Sequence, residues 1–175
     1  MPDRSPRVLL TVSGVIPDDL DEQVATRNRP RADYRVLAER MGADVVDVRL
    51  AAERLGRVGS ALRRLGAGPL LAGYVIRHRR DYDVVLTDGE QVGLPLALLT
   101  RFVGRGTCAH AMIVHILSVP KKERLIKWAR LAGRIDRYIV YCEWQAEYVR
   151  TELGVPPERV VVSTFMVDTA FFAPR

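Results

Sequence analysis

The chain has 175 residues, of which 48% are hydrophobic and 27% are charged, a composition typical of one folded domain and not of a disordered chain. No apolar run reaches the roughly 18 residues that a membrane-spanning helix needs, and residues 1–6 lack the apolar stretch of a signal peptide, so we expect a cytoplasmic protein. The net charge of +6 is distributed unevenly and favours an anionic partner.

The first half of the chain alternates short apolar runs with helical patterns. Its predicted elements are, in order, a strand over 7–13, a long loop over 15–30, a helix over 32–41 stopped by Gly42, a strand over 44–48 and two helices within 50–80. The first of these two helices carries an apolar stripe with arginines between its members, at Leu55, Val58, Leu62 and Leu65. Glycines and a proline in 66–69 predict the break between the two helices.

The second half continues the alternation. Its predicted elements are a strand over 83–87, a helix starting at about Gly89, a strand over 111–115, a basic helix over 121–131, a strand over 136–141, a helix over 143–153 and a strand over 159–163. Asp88 is expected to cap the helix that follows it, and that helix is expected to bury Val92, Leu96 and Leu99.

Strands that alternate with helices imply right-handed crossovers and a parallel sheet covered on both faces. The predicted fold class is therefore α/β, a Rossmann-like doubly wound parallel sheet of about six strands. Four large apolar residues follow the last strand, at Phe165, Met166, Phe171 and Phe172. We expect them either to fold back on this domain or to belong with a second one.

Ligands of open α/β sheets bind beyond the carboxyl ends of the strands, near the switch in strand order. This rule selects Ser13, Gly14, Asp88, Gly89, Glu90, the segment from His115 to Ser118, Cys142 and Glu143. His115 ends an apolar strand and is a candidate for acid–base catalysis, and the alternative is a histidine that binds a neighbouring backbone carbonyl.

The carboxylate pair Asp88 and Glu90 is typical of a site that binds sugar hydroxyls or holds a base. A capping aspartate and a glutamate that complements the helix dipole explain the pair equally well. No GxGxxG or GxxxxGK[ST] motif is present, which excludes the usual dinucleotide and P-loop sites. The two cysteines lack CxxC spacing and the three histidines form no ligand cluster, so no metal is predicted.

Basic residues are concentrated in two segments. Residues 49–80 carry eight arginines against Glu53, and residues 121–137 carry seven bases against two acids. The residues predicted to bind an anionic membrane or phosphorylated lipid are Arg63, Arg64, Arg77, Arg79, Arg80, Lys121 and Lys122. A solvated helix face is the alternative, and nucleic acid ranks lower because no RNP-type aromatic run, zinc finger or helix-turn-helix accompanies these bases.

Three segments, together with His115 at the end of the fourth strand, carry a resemblance to a known family. They read DRYIVYCEWQAEYVR over 136–150, LGVPPERVVV over 153–162 and VDTAFFAP over 167–174. Their order and content resemble the N-terminal, acceptor-side domain of a retaining GT-B glycosyltransferase of the family 4 type (glycosyl transferases group 1). The Val-Asp-x-x-x-Phe-x-Pro ending is the most specific part.

The resemblance implies one half of a GT-B architecture, with 1–163 as the N-terminal domain and 164–175 as the start of the linker to an absent donor domain. It implies a nucleotide-sugar donor bound mainly by that second domain, in cis or in trans, and no further cofactor. His115 would then lie near the reacting sugar, and the loop at Gly14 near the donor phosphates and acceptor. The chain departs from the family pattern at Gly14, which lacks a second glycine, and at Cys142, Phe165 and Met166.

The leading functional hypothesis is the acceptor-binding domain of a glycosyltransferase whose acceptor is lipid-linked or otherwise anionic, peripheral at the cytoplasmic face of the membrane. Such a chain is expected to be inactive without a donor-binding domain. The alternatives are a non-catalytic binding module with the same fold and one chain of a split two-subunit transferase.

Overall fold

The computed structural model describes residues 5–104, 106–164 and 167–173. Its strands are β1 (Val8–Val12), β2 (Asp44–Asp47), β3 (Val84–Thr87), β4 (Ala109–Ile113), β5 (Arg137–Val140) and β6 (Val160–Val162). Its helices are α1 (Leu20–Ala25), α2 (Asp33–Met41), α3 (Val48–Arg64), α4 (Ala67–His78), α5 (Glu90–Val103), α6 (Pro120–Trp128) and α7 (Glu143–Thr151). Two short 3₁₀ turns, Ala132–Arg134 and Pro157–Arg159, precede β5 and β6.

The six strands form one parallel sheet in the order β2-β1-β3-β4-β5-β6. The predicted α/β, Rossmann-like fold is confirmed. The chain moves from β1 outward to β2 and then crosses back over β1 to β3, so the strand order reverses between β1 and β3. This switch point opens a crevice at the carboxyl edge of the sheet, the edge at which the strands end.

The helices cover the two faces of the sheet unevenly. Leu9, Val85 and Met112 point to one face, where they pack with α3 to α7, whereas Leu10 and Leu86 point to the other. On that second face the packing helix within the described ranges is α2, through Tyr34 and Leu37. The second face is therefore less deeply covered than the prediction of helices on both faces implies.

The apolar stripe predicted for α3 is confirmed at Leu55 and Leu62, which pack against the core, and is wrong at Val58 and Leu65. Val58 is 61% exposed and Leu65 is 72% exposed. Gly56 has φ 56° and ψ −127°, which interrupts the helix and changes the rotation of the turns that follow. Because of that change, Gly59 is buried, and a Cβ on Gly73 of α4 would stand 2.6 Å from Leu62.

Three further expectations are corrected. The predicted loop over 15–30 contains the short helix α1. Leu99 is 37% exposed, because it lies on the outer side of α5. Asp88 does not cap α5: the residue before the helix is Gly89, and no side chain caps it.

The described part of the tail folds back on this domain. Asp168 accepts hydrogen bonds from the backbone N–H of Arg31 at 2.8 Å and from its guanidinium at 3.2 Å. Phe171 lies half-buried beside Val24, while Phe172 is exposed. Phe165 and Met166, the other two apolar residues named in the prediction for this tail, lie outside the described residues.

No helix within the described ranges is both long enough and apolar enough to cross a bilayer.

Candidate functional site

The switch point brings together the ends of β1 and β3, as the strand-end rule predicts. Ser13 follows β1, and both its backbone N–H and its hydroxyl donate to Asp88 Oδ2, at 2.7 and 3.0 Å. The carboxylate of Asp88 therefore ties the two loops that flank the crevice instead of capping a helix. The capping explanation for Asp88 is wrong.

Asp88 is held in an environment that disfavours its charge. Burial raises the pKa of its carboxyl group, and the hydrogen bonds from Ser13 and the nearby His115 ring oppose that rise only in part. Its second oxygen, Oδ1, is buried without a hydrogen-bond partner among the residues that the structure describes. An acidic group with spare hydrogen-bonding capacity thus lies at the base of the crevice.

His115 lies two residues beyond β4, on the same edge. Its Nε2 lies 2.7 Å from the backbone carbonyl of Asp88, and since a carbonyl can only accept, Nε2 carries a proton. The ring packs on Gly89, where a Cβ would stand 3.0 Å from its Cδ2, and its centroid lies 5.7 Å from that of Tyr141. The structure thus shows the contact with a neighbouring backbone carbonyl that was the alternative to a catalytic role for His115. The catalytic role itself stays a prediction.

Glu90 holds the segment that carries His115. Its side chain is 5% exposed and accepts from the backbone N–H groups of His115 and Ile116, at 3.1 and 3.2 Å. Lys122 donates to the same carboxylate at 2.6 Å. Burial opposes the charge of Glu90, but these donors outweigh it and lower the pKa of the carboxyl group.

Two further side chains fasten the same segment. Lys122 also donates to the carbonyl of Ile116 at 2.9 Å, and Gln145 donates to the carbonyl of His115 at 2.8 Å. Gln145 in turn accepts from the backbone N–H of Tyr141 at 2.7 Å. The backbone around His115 is therefore fixed from α5, α6 and α7 at once, which pre-organises whatever the imidazole does.

The loop after β1 is open where the family resemblance places phosphates. Gly14 is exposed, and a Cβ at this position would meet nothing within 4 Å. The buried carboxylate of Asp47 accepts from Ile16 and from Leu50, which fixes the loop on the start of α3. Gly14 can therefore offer a ligand its backbone and the open space beside it.

A small pocket lies next to His115, between the segment that follows β4 and helix α7. It has a volume of about 90 Å³ and includes Ser118, Trp144 and Tyr148 in its wall. Trp144 is 65% exposed and stacks on Tyr148, with ring centroids 6.0 Å apart. Ser118 is the predicted site residue that lines this pocket together with His115, and its role stays a prediction.

The predicted basic surface divides into separate groups. Helix α4 begins against the first turn of α5, at the carboxyl edge, and ends before β3, at the opposite edge. Arg63 and Arg64 therefore lie towards the carboxyl edge, and Arg77, Arg79 and Arg80 towards the amino edge. The guanidinium of Arg79 donates to the carbonyl of Ile76.

The two lysines of the basic set differ. Lys121 is exposed, whereas Lys122 turns inward to Glu90. The contribution of each to anion binding stays a prediction, but the ion pair of Lys122 is an established contact of the fold.

Several site residues were missed by the sequence reasoning. Four residues bind or line the loops at the carboxyl edge of the sheet, although no spacing or motif in the sequence marks them: Gln145, Asp47, Tyr34 and Tyr141. The available signal was position: Tyr141 and Gln145 follow β5, and Asp47 ends β2. Within the described ranges, no three histidine, cysteine, aspartate or glutamate side chains are grouped to hold a metal ion.

Comparison with known families agrees with this arrangement. A sequence model of the family described as Glycosyltransferase Family 4 matches residues 17–171, which is most of the chain. No curated protein matches the chain significantly.

Proposed function

The chain belongs to glycosyltransferase family 4, and from this membership we propose that it binds the acceptor in the transfer of a sugar from a nucleotide-sugar. In this proposal residues 1–163 are the acceptor-side domain and 164–175 begin the linker to a donor-binding domain, in cis or in trans. The observation that carries the proposal is the convergence of Ser13, Asp88 and His115 at the switch point of a fold whose family transfers sugars.

The geometry supports a division of labour among these residues. Glu90, Lys122 and Gln145 hold the His115 segment, so the imidazole can act without reorganising its backbone. Nε2 donates to the Asp88 carbonyl, and Nδ1, which has no hydrogen bond among the described residues, is the nitrogen that can accept from a substrate hydroxyl. Retention of anomeric configuration is part of the proposal and is tested by the stereochemistry of the product.

The second half of α3 supports an acceptor at an anionic membrane surface. Val58 in this half and Leu65 directly after it are exposed, and so are their neighbours Arg57, Arg63 and Arg64. These three arginines have no carboxylate partner among the described residues. Exposed apolar side chains next to unpaired cations are typical of helices that lie on anionic lipid, in this case at the cytoplasmic face.

The test completes the enzyme with a donor-binding domain and measures transfer of labelled sugar from a panel of nucleotide-sugars to a membrane lipid extract. We expect no turnover by the chain alone and turnover by the completed enzyme. Turnover by the chain alone would refute the division into two halves.

Replacement of the histidine decides between catalysis and binding. His115→Ala is expected to lower the rate of the completed enzyme by at least about 100-fold, as for the loss of an acid–base group. The matched control is His78→Ala, since His78 lies on α4 and pairs with Asp81 at 3.4 Å. An unchanged rate for His115→Ala would favour a non-catalytic binding module, in which the Asp88 contact is the whole role of His115.

A further inference from the structure

A pocket of about 180 Å³ lies between α2 and the sheet, beside the Asp88 cluster. We call it the α2 pocket. Its floor is apolar and consists of Leu10, Leu37 and Ile113. An engineered protein cavity of about 150 Å³ holds a benzene molecule, so this pocket has room for one six-membered ring.

The rim of the α2 pocket is polar and bears hydrogen-bonding groups of several kinds. It consists of Asp33, Tyr34, Asp88, His115 and Tyr141. One oxygen of Asp33 accepts from the N–H of Tyr34 at 2.8 Å, and the Tyr34 hydroxyl has no partner among the described residues. An apolar ring in this pocket would leave these groups unsatisfied, which costs free energy for each one that loses water.

The charge around the rim favours a neutral occupant over an anion. Burial, and after it the carboxylates of Asp33, Asp88 and Glu90, raise the pKa of Tyr141. Burial also raises the pKa of Tyr34, so both phenols keep their protons at neutral pH and can donate.

Cations reach the rim at one side. Arg29 and Arg35 act on Tyr34, but the guanidinium of Arg35 is bound to both oxygens of Asp21, at 2.7 and 2.8 Å. The lining of the pocket itself, among the residues that the structure describes, includes the carboxyl groups of Asp33 and Asp88 and no lysine or arginine, so a phosphate inside the pocket would meet acidic groups without a neighbouring guanidinium or ammonium.

We infer that the α2 pocket binds one neutral pyranose ring of the acceptor, with its hydroxyls on Asp33, Asp88 and Tyr34 and its carbon face on the apolar floor. The inference rests on the proposed function, which it deepens by naming the class of group that this site recognises. In this inference the α2 pocket recognises the neutral ring of the acceptor, and any anionic part of the acceptor binds outside the pocket.

The first experiment measures binding by the chain itself, so that it does not depend on transfer. The amide NMR spectrum is titrated with glucose, galactose and mannose, with cyclohexanol as the apolar ring and with glucose 6-phosphate as the anion. We expect at least one neutral hexose to shift the amides of Ser13, Asp88 and His115 more strongly than the other two probes. Binding of no hexose, or tighter binding of the phosphate or of cyclohexanol at these amides, overturns the inference.

Variants place the ring in the pocket. Leu37→Trp fills the floor and is expected to abolish the shifts, and Tyr34→Phe, which removes one hydroxyl, is expected to weaken binding about three- to tenfold. The control is Tyr82→Phe, because the Tyr82 hydroxyl donates to Asp44 at 2.9 Å on another part of the surface. If Leu37→Trp fails to fold, the two tyrosine variants decide, and equal effects of both overturn the inference.

Kinetic measurements on the completed enzyme distinguish an acceptor ring in the pocket from a donor sugar. Tyr34→Phe is expected to raise KM for the acceptor and to leave KM for the nucleotide-sugar unchanged, and the opposite pattern overturns the inference. The two proposals can fail independently. Transfer with no hexose binding by the chain refutes the α2 pocket alone, whereas hexose binding without transfer in any completed enzyme refutes the proposed function alone.

Discussion

The ion pair between Glu90 and Lys122 makes a sharp prediction about stability. Lys122→Met keeps the length of the side chain and removes its charge, leaving the carboxylate of Glu90 buried with two backbone N–H donors and no cation. Breaking a buried pair from one side costs about 3–5 kcal/mol. Because Lys122 is partly exposed and water can enter where its ammonium stood, we expect the lower end, about 3 kcal/mol.

Thermal and urea unfolding at neutral pH measure this loss. For a domain of this size 1 kcal/mol corresponds to about 2–4 °C in Tm, so Lys122→Met should lower Tm by about 6–12 °C. The double variant Glu90→Gln/Lys122→Met removes the unpaired charge and keeps an acceptor for the N–H groups. It should return to within about 1 kcal/mol of the unmodified chain.

The pH dependence gives an independent check of the cause. The pKa of Glu90 is lowered in the fold, so its contribution is present above the unfolded pKa and is lost as pH falls through the folded pKa. In Lys122→Met the unpaired carboxyl should take up a proton more readily, which relieves the unfavourable charge. The deficit should therefore be largest at neutral pH and shrink in acid.

A matched lysine serves as the control. Lys127 donates to Glu123 at 2.6 Å within α6, but both side chains are more exposed than Glu90. Lys127→Met should have a much smaller effect than Lys122→Met, because water screens an exposed pair. A loss below about 1 kcal/mol for Lys122→Met at neutral pH, or a loss that is the same in acid, would refute the reasoning.

Three further outcomes are expected. Gly89→Ala should push the His115 ring off the Asp88 carbonyl and shift its ring resonances in NMR spectra, whereas Gly14→Ala, with nothing within 4 Å of the added Cβ, should not. The pKa of Asp168 lies at about 2 because the backbone N–H and guanidinium of its arginine partner donate to it, so its contribution is full above the unfolded pKa near 4 and is lost towards pH 2. The stability of Asp168→Asn should accordingly be less sensitive to acid between these two pH values. Equal sensitivity of the variant and the unmodified chain would argue against a stabilising contact between Arg31 and Asp168. Leu65→Asp should reduce sedimentation of the chain with anionic liposomes, and an unchanged bound fraction would count against α3 as the membrane surface.

Much of the fold followed from local patterns in the sequence. The six apolar runs became the six strands, and Gly42 ends α2 in the left-handed conformation that the stop signal requires. The error in α3 arose where one residue changed the geometry of its neighbours. Gly56 rotated the second half of α3, and its stripe was misjudged because the periodicity assumed an unbroken helix.

The sequence by itself determined the fold class, the family and the edge of the sheet at which the candidate residues lie, because hydrophobic periodicity, turn residues and family motifs are local properties of the chain. Only the tertiary structure decided what those residues touch. Asp88 meets Ser13 across 75 positions of the chain, and Glu90 meets Lys122 across 32. Such pairings depend on strand register and on loop conformation, and so Asp88 became a tie between two strand ends instead of a cap, and Lys122 became the partner of a buried carboxylate.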